Sequence, residues 1–332
     1  MVFKMKRKPR RASDEAHSGL PASMSLNKRS LFRKDGLRLL LYCSPFIIMV
    51  FIFSYLPLYG WIYAFYRYRP GLPLAKMPFV GWENFNNLVR NSYVRNKLIR
   101  SLINTLAMQG IGIFFSPLPM LFAILLSDIK GRRFKKRVQT ITTLPHFISW
   151  VLMYAVSYAL FSVNDGLVNQ IAIALGLRTK GVDYLASGNF VWMRMWLRGT
   201  WKELGWAAII YLAAIAGINT ELYEAAEVDG AGRWRRMWHI TLPHLLPTFF
   251  VLLLLSIASF FNTGFENYLF YSNVHTADKL YVLDLHIFHI AFTESNYSMS
   301  IAIGMLKSIV GILLLFVANS MSKLLRDGEP II

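Results

Sequence analysis

Charge is scarce in this chain, and acid scarcest of all: Asp, Glu, Lys and Arg make up 16% of 332 residues, with 18 acids against 36 bases. The hydrophobic residues, 55% of the chain, come in long blocks, which excludes the short alternations of a soluble fold. There is one cysteine, Cys43, inside the first apolar block, so no intrachain disulfide forms and cysteine usage assigns no redox compartment. No G-x-x-x-x-G-K-S/T segment is present to cradle the phosphates of ATP. No Ser/His/Asp or paired-carboxylate arrangement points to an enzyme. The net charge of +18 would suit nucleic acid, but a nucleic-acid binder does not separate its bases with apolar runs longer than a bilayer is thick.

Membrane topology accounts for the blocks. A helix that crosses the hydrocarbon core needs about 20 mainly apolar residues and must satisfy its own backbone. Leu39 to Tyr66, Ser101 to Ser127, Val138 to Asn164 and Met237 to Phe265 are free of Lys, Arg, Asp and Glu and pass easily. Two further stretches are interrupted. Phe190 to Gly217 contains Arg194, Arg198, Lys202 and Glu203, and Met299 to Ser322 contains Lys307.

Loop charge decides between four spans and six. With six spans and an internal N-terminus, the inner segments hold 22 Lys or Arg and the outer segments ten, the bias expected of cytoplasmic loops. Eleven of the inner ones lie in the first 38 residues, among Pro, Ser and Gly, and the tail over residues 1–36 is expected to be mostly disordered. The run that follows is too long for a cleaved signal and reads as a retained anchor. The expectation is an all-α, multi-pass protein of about six transmembrane helices over 37–325, with 326–332 and the N-terminus cytoplasmic. The outer segment from Arg67 to Arg100 holds seven bases; Phe85, Leu88, Val89, Leu98 and Ile99 there predict a helix on the outer membrane surface.

Between the fourth and fifth spans lies EAAEVDGAGRWRRMWHITLP, from Glu224 to Pro243. Asn219 or Thr220 is placed to cap a short helix, Glu221 suits its positive end, and Ala225 and Ala226 allow another surface to approach. Gly230 permits a turn that a residue with a Cβ resists, and Pro243 excludes an ordinary helical hydrogen bond, so the chain is expected to bend back into span five there. Glu-Ala-Ala, three residues, Gly, nine residues, Ile, one residue, Leu-Pro resembles the EAA signature of permeases in binding-protein-dependent ABC importers. Glu224, Ala225, Ala226, Gly230, Ile240, Leu242 and Pro243 fill every defined position.

Further segments agree in order: GWENFNNL at Gly81 to Leu88, NTL at Asn104 to Leu106, and AIGMLKSIVGILLLFVAN at Ala302 to Asn319 look like oligosaccharide permeases of the maltose and glycerol-phosphate type, nearest the polysaccharide branch. The resemblance implies a type I ABC importer permease fold in the bacterial cytoplasmic (inner) membrane. It implies that 219–245 is the loop that couples to ATPase subunits, with Glu224 and Asp229 facing basic or polar groups of that partner. Two cytoplasmic ATPase subunits, a second homologous permease in a heterodimer, an extracytoplasmic solute-binding protein and membrane lipid are the partners implied, and nucleic acid is not among them. No cofactor is implied for this chain; ATP and Mg belong to the ATPase subunits.

Charges inside spans are costly and usually face a protein interior or water. Arg194, Arg198 and Lys202 recur every four residues and fall within about an 80° arc, with Trp201 and Gly205 on the same face. Facing a cavity, this stripe would suit an acidic oligosaccharide such as a uronate oligomer. The other reading has Arg194 and Arg198 snorkelling outward and Lys202 paired with Glu266. Asn262, Thr263, Glu266, Asn267 and Tyr268 make the outer part of span five a candidate wall of the path. His286 and His289, with Glu294 nearby, read as polar interface residues in preference to a metal site. The rival function is an ion-coupled secondary transporter or channel using Arg194, Lys202, Glu203 and Glu266; a membrane enzyme ranks below it.

Overall fold

A computed structural model of the chain describes residues 34–325, so most of the expected 1–36 tail and all of 326–332 lie outside it. The described residues are mostly helical, and the only β pairing among them is an isolated bridge between Tyr66 and Phe79. They fall into two compact units, one ending at Tyr59 and one beginning at Gly60. The first holds α1 (Lys34–Val50) and a π-helical turn, Phe51–Tyr55. The apolar stretch Arg38–Phe65 has a mean hydropathy of 2.2 over its best window and the length to cross a membrane.

In the second unit α2 (Glu83–Arg90) precedes α3 (Ser92–Phe114), which begins under an Asn91 cap: the Asn91 side chain accepts from the N–H groups of Tyr93 and Val94. The surface helix expected before span two is therefore divided. Phe85, Leu88 and Val89 lie on α2, and Leu98 and Ile99 already belong to the helix that becomes the span. Pro117 stands between α3 and α4 (Leu118–Ser127) and Pro119 lies in the first turn of α4, yet Ser92–Ser127 counts as one span. Three of the seven outer bases are paired with acids: Arg67 with Glu83, Lys97 with Glu294 and Arg100 with Asp278.

The third apolar block is not one straight helix. α5 (Arg132–Thr143) runs through a 3-10 turn, Leu144–Phe147, and meets α6 (Trp150–Phe161) at 110°. The sequence dictates the break. Pro145 cannot donate and ends α5, Ile148 is extended, and Ser149 starts α6 by accepting from the Leu152 N–H at 3.3 Å. After α7 (Leu167–Ala174) comes α8 (Val191–Ala216), the 26-residue helix that carries the charged stripe. It meets α9 (Thr220–Val228) at 72°.

α10 (Arg233–Arg236), a π-turn at Met237–Thr241 and α11 (Leu242–Ala258) form the next continuous span, Arg233–Ala258. The sequence expectation of a bend at Pro243 is corrected here. Pro243 sits in the first turn of α11, and the ring and missing N–H are absorbed by widening the preceding turn, where Leu242 N–H donates to the Met237 carbonyl. The expected end of span five at Phe265 is also corrected: α11 stops at Ala258. α12 (Glu266–Tyr271), α13 (Ala277–Leu280) and α14 (Leu283–Phe288) then fold back before α15 (Tyr297–Leu325), the last span. Their apolar residues Tyr268, Tyr271, Leu280, Val282 and Leu285 build a core with Met108 of α3 and Val191 and Met195 of α8. Four stretches meet the length and hydropathy of a span alone, and the two bent pairs bring the number to six.

Candidate functional site: a coupling loop and a cavity beside the fourth span

The loop after α8 is built by local signals. The Asn219 side chain accepts from the Glu221 N–H at 3.0 Å and caps α9, and Glu221 lies in the first turn beside the positive helix end. At the other end Asp229 is followed by Gly230 at φ +71°, the left-handed conformation that favours glycine. Ala231 N–H donates to the Ala226 carbonyl at 2.8 Å and Gly230 N–H to Glu227 at 3.1 Å, the paired bonds of a Schellman turn. The reversal that returns the chain to the membrane is therefore at Gly230.

Two ion pairs and one hydroxyl pair hold the loop. Arg236 reaches Glu227 at 3.1 Å, Arg233 reaches Asp128 at the end of α4 at 3.3 Å, and the Tyr223 and Thr241 hydroxyls are 2.9 Å apart. Glu224, Ala225 and Asp229 are exposed and Ala226 half-buried; Ile240 and Leu242 are half-buried and Pro243 exposed. Val228 and Trp234 are 89% and 68% exposed, large apolar side chains on a polar loop.

The charged stripe faces the protein and not the cavity. The Arg194 guanidinium donates to the Tyr184 and Ser187 carbonyls, and Arg198 lies over the Tyr271 ring at 4.1 Å with Nη1 3.2 Å from the Met195 sulfur. Lys202 is buried and donates to the His146 carbonyl at 2.5 Å, with Glu203 at 3.5 Å. Its partners are thus the broken third span and its own neighbour on α8; Glu266, the acid expected to pair with it, is exposed at the start of α12. Trp201 is half exposed, whereas Gly205, expected on the same face, is buried.

A cavity of about 420 Å³ lies alongside, between α3, α4, α8 and α12. Trp150, Trp196 and Phe115 give it aromatic walls, and Gln109, Thr200, Glu203 and Asn267 give it polar ones. Asn267 and Tyr268, expected on the path, line it, while Asn262 lines a separate cavity of about 310 Å³ with Lys307. The Asn267 side-chain carbonyl is buried without a partner among the described residues. The mixture of flat rings with few hydrogen-bonding groups is the chemistry that holds a polyhydroxylated solute.

Sequence reasoning missed Asp284. It pairs with Lys307 across α14 and α15, and accepts from the Gly264 N–H at 2.9 Å and the Thr263 hydroxyl at 3.2 Å. Lys307 alone in an apolar span was the signal that an acid must lie nearby. His286 is buried with Nδ1 3.0 Å from the Tyr281 hydroxyl, and the His289 ring lies against the Tyr281 ring.

Residues 94–327 match the family described as "Binding-protein-dependent transport system inner membrane component". The chain belongs to this family. It is 36% identical over 295 residues to protein LplB of Bacillus subtilis (strain 168), covering 89% of this chain and 90% of that one. It is 35% identical over 292 residues to the polygalacturonan/rhamnogalacturonan transport system permease protein YteP of the same organism, covering 88% of each. Among solved structures it is similar to a chain of a bacterial ABC transporter involved in the import of the acidic polysaccharide alginate, with TM-score 0.78, 31% identity and coverage of 90% and 98%. A second structure of the alginate transporter, in complex with an alginate pentasaccharide-bound periplasmic protein, matches with TM-score 0.77, 30% identity and coverage of 90% and 97%. As a family member the chain is a multi-pass inner-membrane permease component.

Proposed function

We propose that this chain is one of two homologous permease subunits of an ATP-driven importer, that it passes an oligosaccharide, and that the loop at 219–245 docks on a separate ATPase. The observation that carries the reading is the loop itself. A capped helix that exposes Glu224 and Val228 ends at Asp229 and the Gly230 reversal and stands 72° from α8, and Trp234 is exposed on α10 after the turn. A short rigid helix with small and apolar exposed residues suits insertion into a groove of a partner. The 37–325 region is then the membrane domain, with both termini cytoplasmic, ATP and Mg held by the ATPase subunits, and a solute-binding protein delivering the substrate from outside.

An acidic oligosaccharide is the specific solute proposed. The support is the names of relatives, for polygalacturonan and rhamnogalacturonan and for the acidic polysaccharide alginate. The basic stripe does not supply it, because Arg194, Arg198 and Lys202 are engaged by carbonyls, a ring and Glu203. The same engagement leaves an ion-coupled transporter without a free charge on α8 to drive it.

The test uses the complex purified with its copurifying subunits and reconstituted in liposomes. Trigalacturonate should enter with ATP and maltotriose much less; equal uptake of both removes the acidic solute and leaves the importer. Replacing Gly230 with Leu or Glu224 with Lys should separate ATP hydrolysis from uptake or prevent ATPase docking while membrane insertion stays normal. Unchanged uptake and unchanged stimulated hydrolysis in both variants would remove the loop from the mechanism.

A further inference from the structure

The break in the third span is held from the fourth. Where α5 ends, its last carbonyls lose their intrahelical donors, and in a membrane domain no bulk water replaces them. The Pro145 carbonyl accepts from Ile148 N–H at 3.1 Å. The His146 carbonyl accepts from the Lys202 ammonium at 2.5 Å. That ammonium also lies 5.3 Å from the centre of the Trp150 ring, in the first turn of α6, so one side chain touches both sides of the break.

Three neighbours of Lys202 on α8 act on the same segment. The Glu203 carboxylate bonds the His146 imidazole, Oε2 to Nδ1 at 2.7 Å, while its other oxygen is 3.5 Å from Lys202. The Trp206 ring stacks on the His146 ring at 4.3 Å and 2°. A Cβ on Gly205 would come within 2.3 Å of the Thr142 carbonyl, so only glycine lets the two backbones approach this closely. Lys202, Glu203, Gly205 and Trp206 thus all bear on residues 142–150. Glu203 also lines the 420 Å³ cavity, so the break and the cavity share one carboxylate.

We infer that Lys202 and Glu203 are positioning residues that fix the angle between α5 and α6, holding the two halves of span three as separate bodies whose relation is set by span four. Lys202 and Glu203 then serve as the cap and clamp of a broken helix, while Arg194 and Arg198 are engaged elsewhere, by the Tyr184 and Ser187 carbonyls and the Tyr271 ring. A helix break capped by a side chain from another span turns with that span, whereas a self-capped break does not. The consequence for transport rests on the importer reading proposed above; the geometry of the break does not.

The test measures the bend without solute or ATP, so that its outcome is separate from that reading. In the full chain with its copurifying partners in lipid nanodiscs, Cys43→Ser removes this chain's one cysteine, and the same complex without introduced cysteines gives the labelling background. Spin labels at Ile141→Cys on α5 and Tyr158→Cys on α6, both exposed, report the distance across the break. Labels at Leu255→Cys on α11 and Leu313→Cys on α15 serve as a control away from it. Lys202→Met, which keeps length and removes the donor, should cost the 141–158 pair its single narrow distance and leave the control unchanged. Lys202→Arg should restore the narrow distance. An unchanged 141–158 distance in Lys202→Met, or loss of both distances together, overturns the inference. If that variant does not assemble, Glu203→Gln is read in the same way, and an unchanged distance there overturns it equally.

Discussion

The loop at 219–245 and the interior beside spans four and six use the same chemistry to opposite effect. In the loop, Arg236–Glu227 joins side chains 23% and 75% exposed. In the interior, Lys307 and Asp284 are 16% and 14% exposed, and Lys202 is buried against a backbone carbonyl. Exposed pairs exchange one set of well-solvated partners for another and contribute little, whereas a buried charge that loses its partner is left without water. The interior pairs therefore hold the fold, and the loop pairs shape a surface.

Asp284→Ala should be the most damaging. It leaves Lys307, 16% exposed, unpaired and takes the acceptor from Gly264 N–H and the Thr263 hydroxyl, a loss of about 3 kcal/mol. Asp284→Ala with Lys307→Met should recover most of that loss, since the stranded charge is then gone. Thermal melts in detergent of the single and double variants measure both. A double variant no more stable than the single one would mean that the pair is not what Asp284 serves.

His286 gives the interior a pH dependence. Burial pushes its pKa down to about 4, so the folded protein keeps the ring neutral where an unfolded chain takes up a proton. With an unfolded pKa of about 6.5, stability should be flat above that pH and decline as pH falls, by on the order of 3 kcal/mol at pH 4. His286→Gln should flatten the His286 part of that decline. The check is the melting temperature of both proteins between pH 7.5 and 4.5.

Much of this contrast was legible in the sequence on one side only. The Asn219 cap, the Gly230 reversal and the blocks that become spans rest on neighbours within a few residues, where periodicity and turn chemistry speak directly. Lys202 bonds a carbonyl 56 residues away, and Lys307 an acid 23 residues away; no local pattern names either partner. The straight third span was a failure of a different kind. Its apolar content hid Pro145 and Ser149, which are ordinary signals for ending one helix and starting another. The fold of 259–296 back onto α3 and α8 was also lost to hydropathy, which extended span five past the turn at Gly264.

On the loop side, Gly230→Leu should cost less than either interior change. No heavy atom lies within 4 Å of where a Cβ would stand, so the penalty is that of forcing a side chain into φ +71°, about 1 to 2 kcal/mol. Gly230→Asn, which tolerates that conformation, should cost less than Leu. Melts of the two variants separate the backbone cost from any contact, and equal losses would place a hidden contact at Gly230.

Arg236→Gln should have the smallest effect, below about 1 kcal/mol, because Glu227 is mostly solvated and recovers water when the guanidinium goes. Salt distinguishes this pair from the interior one. At 1 M salt the screening length is about 3 Å, so the gap between Arg236→Gln and the unmodified protein should close, while the gap for Asp284→Ala should persist because mobile ions do not reach it. Melting each protein at low and high salt therefore places the two pairs on either side of the same physical line. A salt-insensitive loss for Arg236→Gln as large as that for Asp284→Ala would mean that the loop is an interior element in its own right. The distinction between a solvated loop and a core that holds would then have to be given up.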